Sequence, residues 1–333
     1  MIGVGHIGLG GMGSEHLRNF SNVHGCRVIA GADLHTAVRK RFALQFPKAN
    51  VYSDYKDLLD DAKVDAVVVA VPTAYHEQVA VDVMRSGRPV LCEKPLARTI
   101  PACRRMIDVS RKTRKMLMVG HVRRYDGYWG HFAKLMRQGV LGKPVLWRSV
   151  TAGSEPPGGW FLDHQLSGGP LMDGAVHNYD FANMIFGDPI EVTARSIKLR
   201  RNRTAIDTAT AVVQYPRNNQ IMLSWSWANQ AGALNDVIGP KGSLTFGPGQ
   251  FQSKARAKTK TYYCHTSSTG KSKLIQVNCP GSQMFFNEAK HFIAAVNGKV
   301  KCKTPGTEAI KAVAVAEAIL KIAPKGGTRK ITW

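Results

Sequence analysis

The chain has 333 residues, 44% of them hydrophobic, which is more than one compact core needs and comfortable for two domains. Its 46 basic and 23 acidic side chains leave a formal net charge of +23, but no zinc-finger, helix-turn-helix or RNP-type signal accompanies it, so a nucleic-acid partner is not expected. No apolar run reaches the roughly 18 residues that span a bilayer. The start lacks the basic region and cleavage site of a signal peptide, and six scattered cysteines without a CxxC pair read as free thiols of a cytoplasmic protein, with no metal site.

The first 120 residues alternate strand and helix. "IGVGHIG" (2–8) reads as a strand, "GMGSEHLRNF" (11–20) as an opening helix, "CRVIAGAD" (26–33) as a second strand and "TAVRKRFALQF" (36–46) as a helix stopped by Pro47. "DAVVVAV" (65–71) is continuously apolar, as a strand covered on both faces must be. "AYHEQVAVDVMRSG" (74–87) is an amphipathic helix closed by Gly87. The run "PVLCE" (89–93), a helix over about 100–113 and the strand "MLMVG" (116–120) complete an alternation of five strands and four helices. This rhythm predicts a Rossmann-type α/β domain over 1–120, a doubly wound parallel sheet with right-handed crossovers.

Beyond Gly120 the pattern changes without a linker. A helix over 128–138 ends in "GVLGKP", and β-rich runs follow near 145–152, 190–199, 208–215, 220–228, 235–246 and 261–263. Turn signals such as "YPRNNQ" and "GPKG" separate some of them. Helices over 283–297 and 307–322 and a last strand, "RKITW", close the chain. Residues 121–333 thus read as an α+β domain with a large, mostly antiparallel open sheet, for substrate binding and oligomerisation. Within it Lys254, Arg256, Lys258 and Lys260 alternate and would share one face of a strand. They are read as a solvated face in preference to a device that attracts an anionic substrate or polyanion.

The segment "GLGGMG" places Gly8, Gly10 and Gly13 at GxGxxG spacing between a strand and a helix, and Asp33 lies 20 residues beyond Gly13 at the end of the next strand. Together these are a dinucleotide-binding signature. Gly8 permits the tight turn, Gly10 lets backbone approach the pyrophosphate with Gly11 and Met12 beside it, and Gly13 lets helix and strand pack closely. Asp33 would accept the adenosine ribose hydroxyls and repel a 2′-phosphate, which favours NAD over NADP. Helix phase turns most of Arg39, Lys40 and Arg41 to solvent. Ligands of an open parallel sheet bind beyond the carboxyl ends of its strands. Val71, Pro72 and Thr73 sit at such an end, with Tyr75 and His76 close behind, and so do Glu93 and Lys94. Lys94 is thereby aimed at the nicotinamide crevice.

With these residues the chain resembles the Gfo/Idh/MocA oxidoreductase family, the glucose-fructose oxidoreductase and inositol dehydrogenase group. The likeness runs through "GLGGMG", "VDAVVVAVPTAYH", "RPVLCEKPLA", "GHVRRYD", "GVLGKP" and "SGGPLMDGAVHNYDFANMIFG". It implies a Rossmann domain followed by a large-sheet domain, and that Lys94, Asp173 and His177 match the family's catalytic lysine, aspartate and histidine. Asp173, His177 and Asp180 stand at i, i+4 and i+7, one stripe of a helix. Pro170 replaces a glycine frequent in relatives, and Asn178 stands where many carry an acid. Arg124, Tyr125 and Trp160 are candidate substrate contacts, with Arg123 and His164 near them, and His6 reads as structural.

The expected function is oxidation of a secondary hydroxyl of a sugar, cyclitol or related polyol by hydride transfer to NAD. His177 is the general base, Asp173 orients it or the adjacent hydroxyl, and Lys94 stabilises developing alkoxide charge. Two alternatives stay open: a redox-neutral, NAD-dependent glycosidase or epimerase, and a non-catalytic NAD sensor. An uncovered face of the second sheet predicts a homodimer or homotetramer.

Overall fold

The structure is a computed structural model that describes residues 1–251, 261–279 and 283–333; the alternating bases from Lys254 to Lys260 lie outside these residues. Along the chain come β1 (Ile2–Ile7), α1 (Gly11–Phe20), β2 (Cys26–Ala32), α2 (Thr36–Gln45), β3 (Asn50–Tyr52), α3 (Tyr55–Asp60), β4 (Ala66–Val69), α4 (His76–Arg85), β5 (Val90–Cys92), α5 (Ile100–Thr113) and β6 (Leu117–Val119). The six strands make one parallel sheet in the order β3-β2-β1-β4-β5-β6. The chain leaves β1 in one direction and resumes at β4 on its other side, so the carboxyl ends of β1 and β4 flank the switch point where a ligand sits. All residues of β4 and β5 are buried, which is why these strands read as unbroken apolar runs. β3 escaped the sequence reading because it is a three-residue edge strand with Asn50 and Val51 exposed.

There follow α6 (Gly127–Arg137), β7 (Leu146–Ala152), a π-helical turn (Pro170–Gly174), α7 (Val176–Phe186), β8 (Glu191–Ile197), β9 (Thr208–Gln214), β10 (Gln220–Ser226), β11 (Gly232–Gly239), β12 (Gly242–Phe246), β13 (Tyr262–Ser267), β14 (Ser272–Gln276), α8 (Met284–Val296), α9 (Gly306–Ile322) and β15 (Gly327–Lys330). Their nine strands run β14-β13-β12-β11-β7-β10-β9-β8-β15. Only the β7–β10 pair is parallel. The run over 235–246 is two strands folded at Gly239–Gly242, and β15 ends at Lys330, short of Trp333. β14, with two exposed residues and no apolar alternation, had no strand signal.

The chain forms two compact units, Met1–Tyr125 with Gln283–Ile310, and Asp126–Ser282 with Lys311–Trp333. The first ends its opening segment close to the change of pattern at Gly120, but α8 returns to it from far along the chain. Phe292 of α8 meets Phe20 of α1 edge-on at 6.0 Å, within a core that includes Val4, Leu17, Val68, Leu91 and Met118. The second unit packs α6 and α7 on its sheet through aromatic rings. Phe132 lies 5.4 Å from Trp147 and 4.8 Å from Phe246, and Tyr128 stacks on Tyr263 at 4.2 Å.

His6 of β1 is completely buried and meets Phe20 edge-on, and neither ring nitrogen has a hydrogen-bond partner. Burial, with repulsion from His16 as the smaller cause, lowers its pKa from 6.5 to about 3. The unfolded chain therefore binds a proton that the folded one refuses, and stability is lost as pH falls from 6.5 towards 3. His6→Leu removes this dependence. Urea unfolding is expected to show the variant gaining about 2–3 kcal/mol on the wild type between pH 7 and pH 4.5, from about 1.4 kcal/mol per unit. A constant difference between the two proteins across that range would contradict the assignment.

Candidate active site

The glycine loop joins β1 to α1. Gly8 has φ +83°, and a Cβ there would stand 2.5 Å from the Ala70 carbonyl oxygen at the end of β4. A Cβ on Gly13 would lie 2.0 Å from the Gly8 carbonyl oxygen, so helix and strand meet through bare backbone. At Gly10 and Gly11 a Cβ would meet nothing within 4 Å. These two positions are smooth towards open space, as close approach of a diphosphate requires. α1 begins after Gly10 with no side-chain cap. By contrast Thr99 caps α5 and Asp126 caps α6 through backbone N–H groups. The first amides of α1 thus have no side-chain cap.

Asp33 follows β2. Its Oδ2 accepts from Leu9 N at 2.9 Å and its Oδ1 from His35 N at 2.8 Å, so one carboxylate fixes the glycine loop and its own turn. The expectation that helix phase sends most of the basic cluster to solvent holds for Lys40 and Arg41, both exposed, and not for half-buried Arg39. Arg39 donates to the Asp33 and Leu34 carbonyls, each at 2.8 Å, and Arg41 reaches Leu9 O at 3.3 Å. Long side chains fold back along the helix, beyond what the direction of their Cβ shows.

At the next strand ends Val71 and Pro72 are half-buried and Thr73 is buried. His76 is buried, its Nδ1 2.8 Å from Pro95 O and its Nε2 2.9 Å from Val71 O, so the ring ties the segment after β4 to the segment after β5. Glu93 is buried too, with its carboxylate 2.7 Å from His16 Nε2 and 3.0 Å from the Lys94 amide. Lys94 beside it is half-buried. The polar atoms of His76 and Glu93 are engaged by protein. Met12 on α1 is exposed.

In the second unit Gly168 and Gly169 both have positive φ, and they lead into the π-turn. Pro170 opens this turn, where its missing N–H costs nothing, and its carbonyl accepts from Ala175 N at 2.8 Å, the widened i→i+5 bond. Asp173 lies in the π-turn and His177 in α7, so the single α-helical stripe of Asp173, His177 and Asp180 is corrected. The junction of two helix types sets their register. Asp173 is buried and His177 half-buried. Asn178 is also buried and donates to Ser149 Oγ of β7 at 2.7 Å, tying α7 to the sheet.

An aromatic wall borders the π-turn. A Cβ on Gly174 would stand 2.9 Å from Trp225 Nε1 and 3.0 Å from Trp227 Cζ2. Trp227 meets Phe161 at 5.8 Å, and Phe161 stacks on Trp160 at 3.9 Å. Glu155 accepts from Arg203 Nε at 3.0 Å and lies 3.4 Å from Arg200 Nη1. Apart from Trp160, the sequence reading missed these residues. The alternation of Trp225 and Trp227 across one strand residue was the available signal. His164 is exposed. Arg124 donates to Lys303 O at 3.2 Å. Tyr125 is buried, with its hydroxyl 3.1 Å from Thr304 Oγ1.

A 3-2-1-4-5-6 parallel sheet whose first turn carries this glycine loop, with an acid closing the second strand, defines a dinucleotide-binding class. The model of the oxidoreductase family with an NAD-binding Rossmann fold matches residues 2–121, and that of the GFO/IDH/MocA C-terminal domain matches residues 129–245. Inositol 2-dehydrogenase 2 of Saccharopolyspora erythraea is 34% identical over 260 residues, 74% of either chain. An uncharacterized oxidoreductase of Bacillus subtilis is 30% identical over 250 residues, 73% of this chain and 72% of that one. The chain belongs to the GFO/IDH/MocA oxidoreductase family, and its cofactor is NAD. The aldose-aldose oxidoreductase of Caulobacter crescentus, crystallised with glycerol, shares the fold, with a TM-score of 0.85 over 99% of both chains at 23% identity.

Proposed function

We propose that the protein oxidises a secondary hydroxyl of a cyclitol, sugar or related polyol, with NAD as hydride acceptor. The observation that carries this reading is the presence of Lys94 after β5, and of Asp173 and His177 on the π-turn and α7, in a chain 34% identical to an inositol 2-dehydrogenase. His177, as a neutral imidazole, takes the hydroxyl proton. Asp173 orients that imidazole or the neighbouring hydroxyl. The Lys94 ammonium donates to the reacting oxygen as negative charge develops there. Trp160 offers an apolar ring face to the substrate, and Arg124 a donor. NAD supplies the carbon that receives hydride. Gly8, Gly10, Gly11, Met12 and Gly13 cradle its diphosphate, Asp33 meets its ribose, and Val71, Pro72 and Thr73 line its path towards Lys94. Six free cysteines suit a reducing cytoplasm.

A panel of inositols, neutral sugars and sugar acids with NAD and NADP, followed by absorbance of the reduced cofactor, tests the proposal. Turnover of a cyclitol or sugar supports it. Retained NAD with product formed and no net reduction would replace it with redox-neutral catalysis. Asp33→Ser is expected to lower kcat/KM for NAD and to reduce the NAD-to-NADP preference at least about tenfold, because the repelling carboxylate is gone while Arg39 and Arg41 remain. A wild type that already prefers NADP would contradict the role given to Asp33.

The second unit's sheet turns Trp147, Ile221, Leu223 and Val213 inward, all buried. On the sheet's other face, by contrast, Leu234 and Ile238 of β11 and Ile197 of β8 are exposed, apolar positions suited to a second copy of the chain. Light scattering at micromolar concentration is expected to give a dimer or tetramer, and a monomer alone would refute the pairing.

A further inference from the structure

We propose that His16 and Glu93 are a positioning pair that ties the glycine-loop helix α1 to the end of β5, and so holds Lys94 in its working orientation. The inference rests on the reading of Lys94 as a catalytic residue. Glu93 spends both carboxylate oxygens inside the protein: Oε1 lies 2.7 Å from His16 Nε2 and Oε2 accepts from the Lys94 amide at 3.0 Å. The third side of the carboxylate is closed by Gly120, just after β6, where a Cβ would stand 3.2 Å from Glu93 Oε1 and 3.3 Å from Oε2. His16 lies on the inner face of α1, three residues beyond Gly13, and is boxed by Phe20 at 6.3 Å and Phe285 of α8 at 6.0 Å. Both side chains are buried, His16 to 1% and Glu93 to 6% exposure. The backbone bearing Lys94 is therefore bonded, through one carboxylate, to the helix whose amides face the cofactor.

Stability alone is a poor reason for such a pair. A buried ion pair costs desolvation that its attraction only roughly offsets, and apolar replacements are often neutral or stabilising. Orientation is a better reason, because a misplacement of about 1 Å at a reacting group costs up to about a hundredfold in rate. The surroundings favour the charged form of Glu93. Burial alone would raise Glu93, but the hydrogen bond and charge of His16, with Lys94, hold it below the ordinary carboxylate range. Glu288 of α8 is buried, and burial and the charge of Glu93 push its pKa well above the ordinary value. His6 is held neutral from the β1 side.

The test is a double-mutant cycle on the full chain with NAD and the substrate found in the panel. His16→Leu is expected to lower kcat about tenfold or more, with Kd for NAD and KM for substrate within threefold. His16→Gln, which keeps a donor towards Glu93, should recover most of the loss. If His16→Leu does not fold, Glu93→Gln, which removes the charge at constant shape, carries the same expectation. In a Lys94→Ala background the same substitution should change kcat less than twofold, because the group it positions is gone. Unchanged kcat in His16→Leu, or an undiminished tenfold loss in the Lys94→Ala background, would overturn the positioning role. Wild-type turnover in Lys94→Ala itself would instead remove Lys94 from the chemistry, a failure of the catalytic reading and not of the pair.

Discussion

Lys94→Ala is expected to lower kcat by roughly a hundredfold or more while NAD affinity stays within a few-fold of wild type. The magnitude is that of removing one preorganised donor from a developing oxyanion. Lys94 is the residue after Glu93 at the carboxyl end of β5, half-buried and held at its amide by the Glu93 carboxylate. Its ammonium supplies a compact charge on a flexible stem, so Lys94→Arg should also be slow. The wider, planar guanidinium cannot occupy the same point. NAD affinity is spared because the diphosphate depends on backbone amides of the glycine loop. Steady-state kcat together with calorimetric titration of NAD checks both halves. Near-normal turnover, or a loss of NAD binding that accounts for the whole effect, would contradict the assignment.

Gly13→Ala should abolish useful NAD binding, with an affinity loss of about a hundredfold or more, and should also cost stability. The added methyl would lie 2.0 Å from the Gly8 carbonyl oxygen and 2.8 Å from its carbon, so α1 or the loop must move. The gain in helix propensity of about 1 kcal/mol from replacing glycine is small against that displacement. Gly10→Ala is the informative partner. Its methyl meets no protein atom within 4 Å, so the melting temperature should stay within a degree or two of wild type. NAD affinity should nevertheless fall, because the methyl would stand where the diphosphate is proposed to lie. Thermal melts and NAD titrations of the two variants separate packing from recognition. Normal NAD binding by Gly13→Ala would refute the close-packing role.

Much of the fold and part of the site could be read from the residues. Continuous burial made β4 and β5 visible as apolar runs, and Gly87, with φ +89°, ends the preceding helix as its position suggested. Elements without a buried stripe stayed hidden, as with the edge strand Asn50–Tyr52 and the polar strand Ser272–Gln276. The π-turn was illegible because one widened hydrogen-bonded turn leaves no compositional trace, and Asp173 and His177 still look like i and i+4. The Tyr125 hydroxyl pairs with Thr304, 179 residues away, a contact that no local pattern shows. His16 and Glu93 are 77 residues apart, and no local pattern could join them. Only the strand order, with β4 and β5 laid beside β1, brings α1 to the end of β5.

The central claim is that hydride passes from a carbinol carbon of a polyol or sugar to NAD. The most direct measurement uses the compound turned over in the substrate panel, carrying deuterium on its ring carbons, with the reduced cofactor isolated and examined by mass spectrometry and proton NMR. One deuterium at the nicotinamide C4 position of NADH is the predicted result, together with a slowed chemical step in wild type and no detectable transfer on the same timescale in Lys94→Ala. Reduced cofactor without deuterium, or consumption of the substrate with no deuterium ever reaching the nicotinamide, would contradict the account.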